Sequence, residues 1–305
     1  MSSPSSSRPG SKLSAPIDVQ RVRRLFSRPA VVAPSAFLRR EVASRMHERL
    51  GLIRLEPKQV LDAGCGEGAD LPLLQQRFAQ ATVFGFDGSP QMLALARTAS
   101  EARLPRLQRW LGKRAGHNLL AGDFASLPLA ARSMDAVWSN LALHWHPQAD
   151  LVLQEWQRVL RVHGLLMFSC FGPDTFQQLR NALLQAGLVE SVLPFVDMHD
   201  FGDMLVGAGF ATPVMDMERI TVTYRTTQQL IADVRAFGGN PLFTRQKSLR
   251  GRAVWQALMA ALEAQRNPDG VIPLSFEIIY GHAFKPQPKT PGEAVIRFER
   301  TRKST

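Results

Sequence analysis

The segment VLDAGCGEG, Val60 to Gly68, runs from a short buried-strand pattern into a loop with glycine at every second position. Val60–Asp62 reads as the strand, and Ala69–Phe78, just beyond the loop, as a helix. A glycine-rich turn between a strand and a helix lets the backbone approach a nucleotide at the helix N-terminus. The dinucleotide fingerprint for such a turn is GxGxxG. Here the spacing is Gly64-x-Gly66-x-Gly68, one residue shorter, and Asp62 closes the strand. A carboxylate facing the loop would repel a pyrophosphate and stabilise a cation.

Those constraints call for a nucleoside with a positive amino-acid end and no phosphate, and S-adenosylmethionine is such a ligand. Three further landmarks fit it. Asp87 closes the next strand in FGFDGSPQML, where an acid can accept hydrogen bonds from ribose hydroxyls. Asp123 and Phe124 follow the third strand in AGDFASLPL, placed for an adenine amino group and ring. Asn140 ends the fourth strand in WSNLALHW, beside the expected methyl position. Singly, Asp87 also fits a helix cap before Pro90 and Asp123 a turn residue. Their order at successive strand ends favours the joint reading.

The 305 residues are 45% hydrophobic, enough for one large α/β domain or two small ones. No apolar run approaches the ~20 residues that span a bilayer, so no membrane span is expected. The net charge of +11 is carried mainly by the ends: residues 1–28 hold +5 and residues 285–305 hold +4, leaving +2 for the other 256. Charge confined to tails argues against specific nucleic-acid readout, which needs placed side chains. Residues 1–24 are expected to be a disordered basic tail and 285–305 a basic, Pro-rich one. Cys65 and Cys170, the two cysteines, form no CxxC pair, which fits a reducing cytoplasm.

Outward from the opening loop, strands and helices alternate. Strands are expected at 60–62, 82–86, 118–121, 136–139 and 165–169, with helices at 34–50, 69–78, 90–99 and 148–160. This rhythm implies right-handed βαβ units and a parallel sheet covered on both faces. Beyond Cys170 it changes. Helices are expected at 176–186 and 201–208, a strand at 213–224, helices at 227–237 and 248–265, and a last strand at 272–284. The late strands suit an antiparallel pair at the sheet edge, and the two inserted helices could roof the pocket.

VLDAGCGEG, FGFDGSPQML, AGDFASLPL and SMDAVWSNLALHW together resemble the successive motifs of class I S-adenosylmethionine-dependent methyltransferases, across residues 57–170. The resemblance implies an α/β, doubly wound, Rossmann-like fold with a mostly parallel seven-stranded sheet and a helical insertion before the last strand. It implies one methyltransferase domain over 25–284, with the cofactor core at 57–170 and acceptor-side elements at 171–284. It also implies S-adenosylmethionine as cofactor, bordered by Asp62, Gly64, Gly66, Gly68, Asp87, Gly88, Met92, Asp123, Phe124 and Asn140.

The acceptor is narrowed by what is missing. No Asn-Pro-Pro-aromatic motif follows the fourth strand, and Cys170 lacks a neighbouring proline, so base methylation is not supported. His144 and Trp145 are expected to shape the pocket, His144 being also a candidate base; a metal reading fails for want of further ligands. Two subgroups are similar. One is the malonyl-acyl-carrier-protein O-methyltransferase of biotin synthesis, on VLDAGCGEG, GDFASLPL to SNLALHW, LFSRPA and IPLSFEIIYG. The other is the methyltransferase-fold assembly factor of respiratory complex I, on FLRREVASRM, FGPDTFQQLR and NPDGVIPLSFEIIYG. The first is preferred: its acceptor, a carboxylate already ionised at neutral pH, suits a site with no compelling base, and the hydroxylation that the second could imply has no obvious iron site here. The second would imply modification of an arginine in a protein subunit, and a non-catalytic assembly chaperone is a third reading. The first subgroup usually has a tyrosine after its Phe-x-Arg element, where this chain has Val31-Val32-Ala33-Pro34. It also implies an acidic acyl carrier protein as partner, for which Arg103, Arg106, Arg109, Lys113 and Arg114 form a candidate basic run.

Overall fold

The computed structural model describes residues 16–103, 118–188, 192–243 and 251–288. Seven strands lie in one sheet: β1 (Gln59–Ala63), β2 (Thr82–Asp87), β3 (Asn118–Ala121), β4 (Met134–Ser139), β5 (Leu160–Phe171), β6 (Ala211–Tyr224) and β7 (Ile272–Phe284). Their order is β3-β2-β1-β4-β5-β7-β6. The pairs from β3 to β5 are parallel, and β7 runs antiparallel to both β5 and β6. The described helices are α1 (Val19–Phe26), α2 (Pro29–Val32), α3 (Ala36–Leu50), α4 (Leu71–Arg77), α5 (Pro90–Ala102), α6 (Ala149–Val159), α7 (Gln177–Gln185), α8 (Met198–Gly207), α9 (Thr227–Ala236) and α10 (Arg252–Glu263). Among the described residues, no helix is long and apolar enough to cross a membrane.

Successive strand residues point to opposite faces, and both faces are covered. Val60, Val83, Ala136 and Leu165 pack into one core with Val42 and Met46 of α3, Leu74 of α4 and Leu262 of α10. Leu61, Phe86, Val137 and Leu166, on the opposite face of the same strands, enter a second core with Leu153 and Trp156 of α6 and Phe201 of α8. That two-sided burial is why the central strands read as apolar runs rather than alternating ones. The expected doubly wound fold, with the antiparallel edge and α9 and α10 inserted before the last strand, is the fold observed.

Most element ends fall within a few residues of expectation, and three departures change the reading. β5 begins at Leu160, directly after α6, instead of at Leu165. Met134 pairs with Leu160 and Ala136 with Leu165, so a bulge over 161–164 absorbs the His163-Gly164 pair that read as a helix stop. Residues 16–24, expected to be part of the disordered tail, are folded: Ile17 bridges to Leu242, and Asp18 caps α1 by accepting from the N–H groups of Gln20 and Arg21. Ile17 and Val22 are buried against Leu193 and Leu242, so the arginines of α1 mask an amphipathic helix. Lys285, placed at the start of the tail, is buried; its Nζ donates to the Gln157 and Leu160 carbonyls at the end of α6, at 2.7 and 2.9 Å.

Candidate active site

The chain leaves β1 toward β2 and β3 and then returns to β4 on the other side of β1. Loops after β1 and β4 therefore diverge, and a crevice opens beyond the strands' carboxyl ends. One pocket fills it. Asp62, Gly64, Gly66, Asp87, Gly88, Met92, Asp123, Phe124, Asn140 and Trp145 all line it. Gly68 and His144 do not.

The glycine loop is anchored to the end of β2. Gly64 and Cys65 donate to the Phe86 carbonyl at 2.7 and 3.0 Å, and Gly66 donates to Asp87 Oδ2 at 2.9 Å. Asp87 Oδ1 accepts from Ser89, so each oxygen of Asp87 holds one backbone N–H and keeps lone pairs for a ligand. Gly64 has φ +90°, and a Cβ there would lie 2.3 Å from Ala142 Cβ and 3.2 Å from Phe124 Cζ. A Cβ on Gly66 would meet nothing within 4 Å. Gly64 thus seats the loop against its neighbours, and Gly66 leaves the space above it open. Gly68 serves packing, with a Cβ there 2.9 Å from Ala96 of α5.

Three carboxylates gather at the loop, Asp62 and Asp70 buried and Asp87 half-buried. Burial raises the pKa of Asp62, Asp70 and Asp87, and Asp70 and Asp87 push Asp62 further up. Asp62 Oδ2 finds no hydrogen-bond partner among the described residues. Asp70 Oδ2 accepts from Trp138 Nε1 at 3.0 Å and from Asn140 Nδ2 at 3.1 Å. Asn140, expected beside a methyl group, lines the pocket and also braces it: its Nδ2 reaches the Arg39 carbonyl, and its Oδ1 accepts from Ser169. At the other end, Asp123 meets His146 Nε2 at 3.3 Å and Arg23 at 3.4 Å. His146 and the Ala125 N–H hold its carboxyl down to about 2.

His144 sits behind the pocket wall, its ring 4.7 Å from that of Phe171 and 4.8 Å from that of Trp145. Neither ring nitrogen has a partner among the described residues, and burial lowers its pKa to about 3. It stays neutral and is placed to accept no proton from a ligand. Cys65 and Cys170 are buried free thiols whose pKa values burial raises, which leaves them inert as nucleophiles. Sequence reasoning missed the far wall: Val22, Arg23 and Phe26 of α1, Ser35 and Arg39 around the start of α3, and Phe237 after α9. Asp70 left one clue, an acid close behind the glycine loop. The others come from distant segments and left none.

A family model for a methyltransferase domain matches residues 61–168, the span of these strand ends. A malonyl-[acyl-carrier protein] O-methyltransferase of Laribacter hongkongensis is 45% identical over 88% of this chain and 90% of its own length. The chain belongs to that family. Its counterpart from a Methylovorus species is 44% identical over 89% of this chain and 90% of its own. The fold recurs in a candidate methyltransferase of Bacillus halodurans, at a TM-score of 0.55 and 18% identity, over 80% of this chain and 99% of that one.

As a family member the chain is a methyltransferase that uses S-adenosylmethionine. The pocket fits that cofactor. Asp62 offers an unpartnered carboxylate oxygen to an ammonium, Asp87 offers lone pairs to a diol, and Met92 and Phe124 offer apolar surface to a purine. A pH effect follows. The native pKa of Asp62 lies above its unfolded value, so at pH values between the two the unliganded fold holds a proton that the unfolded chain releases. Stability from this group falls as pH rises from about 3.9, the unfolded value. A bound cation favours the ionised form, so affinity should rise with pH through the same window. Calorimetry of S-adenosylhomocysteine in buffers of different ionisation enthalpy, in steps of pH upward from about 4, should show net proton release within that window; uptake, or no exchange at any pH, would refute this.

Proposed function

We propose that this chain transfers a methyl group from S-adenosylmethionine to the free carboxylate of a malonyl group on acyl carrier protein, a step of biotin precursor synthesis. The near full-length agreement with relatives named for that reaction carries the reading. The chemistry of the pocket supports it. A carboxylate is ionised at neutral pH and needs no base to become a nucleophile. His144 is withdrawn and neutral, and His146 is committed to Asp123. When bound, the cofactor supplies an electrophilic methyl group. The chain then holds the donor's cationic end at Asp62 and fixes the loop through Asp87. Phe26, Trp145, Phe171 and Phe237 line the pocket and exclude water, so proximity and orientation provide the rate.

The carrier is acidic, and the basic positions that would attract it begin at Arg103; Arg106, Arg109, Lys113 and Arg114 lie outside the described residues. Arg23 and Arg24 of α1 are exposed, and Arg23 lines the pocket, so they add positive charge at the site. Intact-mass spectrometry after incubation with S-adenosylmethionine should show one added methyl on malonyl-carrier and none on acetyl-carrier. Methylation of both, or of neither, contradicts the reading. His144→Leu should retain activity within a few-fold and gain stability on the order of 1 kcal/mol, because it removes two unpartnered buried nitrogens. A loss of activity without loss of fold would instead identify His144 as a base.

A further inference from the structure

Arg39 is the cation of the pocket that none of the roles above uses. It stands in the first turn of α3, lines the pocket with Asp70 and Asn140, and is 28% exposed. Its Nη1 donates to Ser35 Oγ at 2.6 Å, and Ser35 is itself fully buried and bonded to the Val32 carbonyl. The guanidinium is therefore held in place on one side. Nη2 finds no hydrogen-bond partner among the described residues; Glu67 Oε1, at 3.8 Å, forms a loose ion pair with it, beyond hydrogen-bond reach and one-third exposed. Asp70 interacts with it through space while its Oδ2 is taken by Trp138 and Asn140. A buried guanidinium edge with no hydrogen-bond acceptor is costly, the loose Glu67 pair compensates it only in part, and its planar donors match a carboxylate.

We propose that Arg39 binds a carboxylate inside the pocket. Two sources share that chemistry: the amino-acid end of the cofactor, whose ammonium the unpartnered Asp62 oxygen would take, and the malonyl acceptor. The acceptor arm rests on the proposed reaction; the cofactor arm does not. Both arms are read on the full chain carrying Arg39→Met, with Arg39→Gln as the second variant where methionine fails to fold. The binding probes are S-adenosylhomocysteine and 5′-methylthioadenosine, which lacks the amino-acid end.

If the cofactor supplies the carboxylate, the variant binds S-adenosylhomocysteine at least about tenfold more weakly and methylthioadenosine unchanged. If the acceptor supplies it, both affinities hold and KM for malonyl-carrier rises by at least about tenfold. Unchanged affinities with unchanged KM overturn the proposal, as does equal weakening of both probes, which marks Arg39 as a support for the pocket alone. Should wild-type protein leave malonyl-carrier unmodified, the proposed reaction fails, and the binding comparison still decides the cofactor arm.

Discussion

Replacing Asp62 with asparagine is expected to stabilise the unliganded protein and to weaken its hold on the cofactor. The carboxylate is buried, one oxygen has no partner among the described residues, and Asp70 and Asp87 repel it. Nothing in the unliganded fold compensates that arrangement, so a ligand cation must. A neutral amide removes the cost of keeping this acid protonated or charged there, and a gain of ~1 kcal/mol would raise the melting temperature of a chain this long by about 1.5 °C. It also removes the charge that an ammonium would meet. A charge-assisted hydrogen bond contributes roughly 1.5–3 kcal/mol, so affinity for S-adenosylhomocysteine should fall about tenfold to a hundredfold. Thermal denaturation and calorimetry test both halves. A variant that is less stable and binds as well as wild type would mean that Asp62 is a structural acid.

Gly64→Ala should disable the site from the opposite direction, by steric conflict. The loop cannot rise to make room without losing the bonds that Gly64 and Cys65 make to the Phe86 carbonyl. The new methyl group would meet Ala142 beyond β4 and Phe124 beyond β3, forcing three strand-end loops apart. Adding the strain of a left-handed alanine, the cost should be about 2–4 kcal/mol of stability. Cofactor affinity should drop by at least about a hundredfold, since several contacts are displaced together. Gly66→Ala is the control. At φ +54° it carries only the left-handed strain of roughly 1–2 kcal/mol, with no protein atom within 4 Å of the new carbon. Equal stability of Gly64→Ala and Gly66→Ala would contradict this reading of the loop.

One wall of the pocket was legible in the sequence because its residues sit at the carboxyl ends of β1 to β4. Each lies within a few positions of an apolar strand pattern, and strand order carries them into one crevice. That is why Asp62, Asp87, Asp123 and Asn140 converge although nearly eighty positions separate the first from the last. The opposite wall was not legible. Arg39 and Phe26 reach the pocket from segments before β1, and Phe237 from beyond β6; no local pattern marks a residue that tertiary packing alone delivers. α1 hid behind its charge: three arginines in eight residues read as a tail until Ile17 and Val22 found their apolar partners. The His144-Trp145 pair split for a geometric reason. A single 3₁₀ turn, Leu143–Trp145, turns the histidine into the aromatic core and the tryptophan toward the cavity.

The central claim is that the methyl group lands on a carboxylate oxygen, and the chemistry of the product tests it. Malonyl-carrier should be treated with the enzyme and S-adenosylmethionine labelled in the methyl group, and the isolated carrier then exposed to mild alkali. A methyl ester hydrolyses there, so the label should leave as volatile methanol. Alkali also cleaves the acyl thioester, so volatility is the criterion: label that stays on the carrier, as a methyl on nitrogen would, or that leaves as a non-volatile acid, as a methyl on carbon would, contradicts the account.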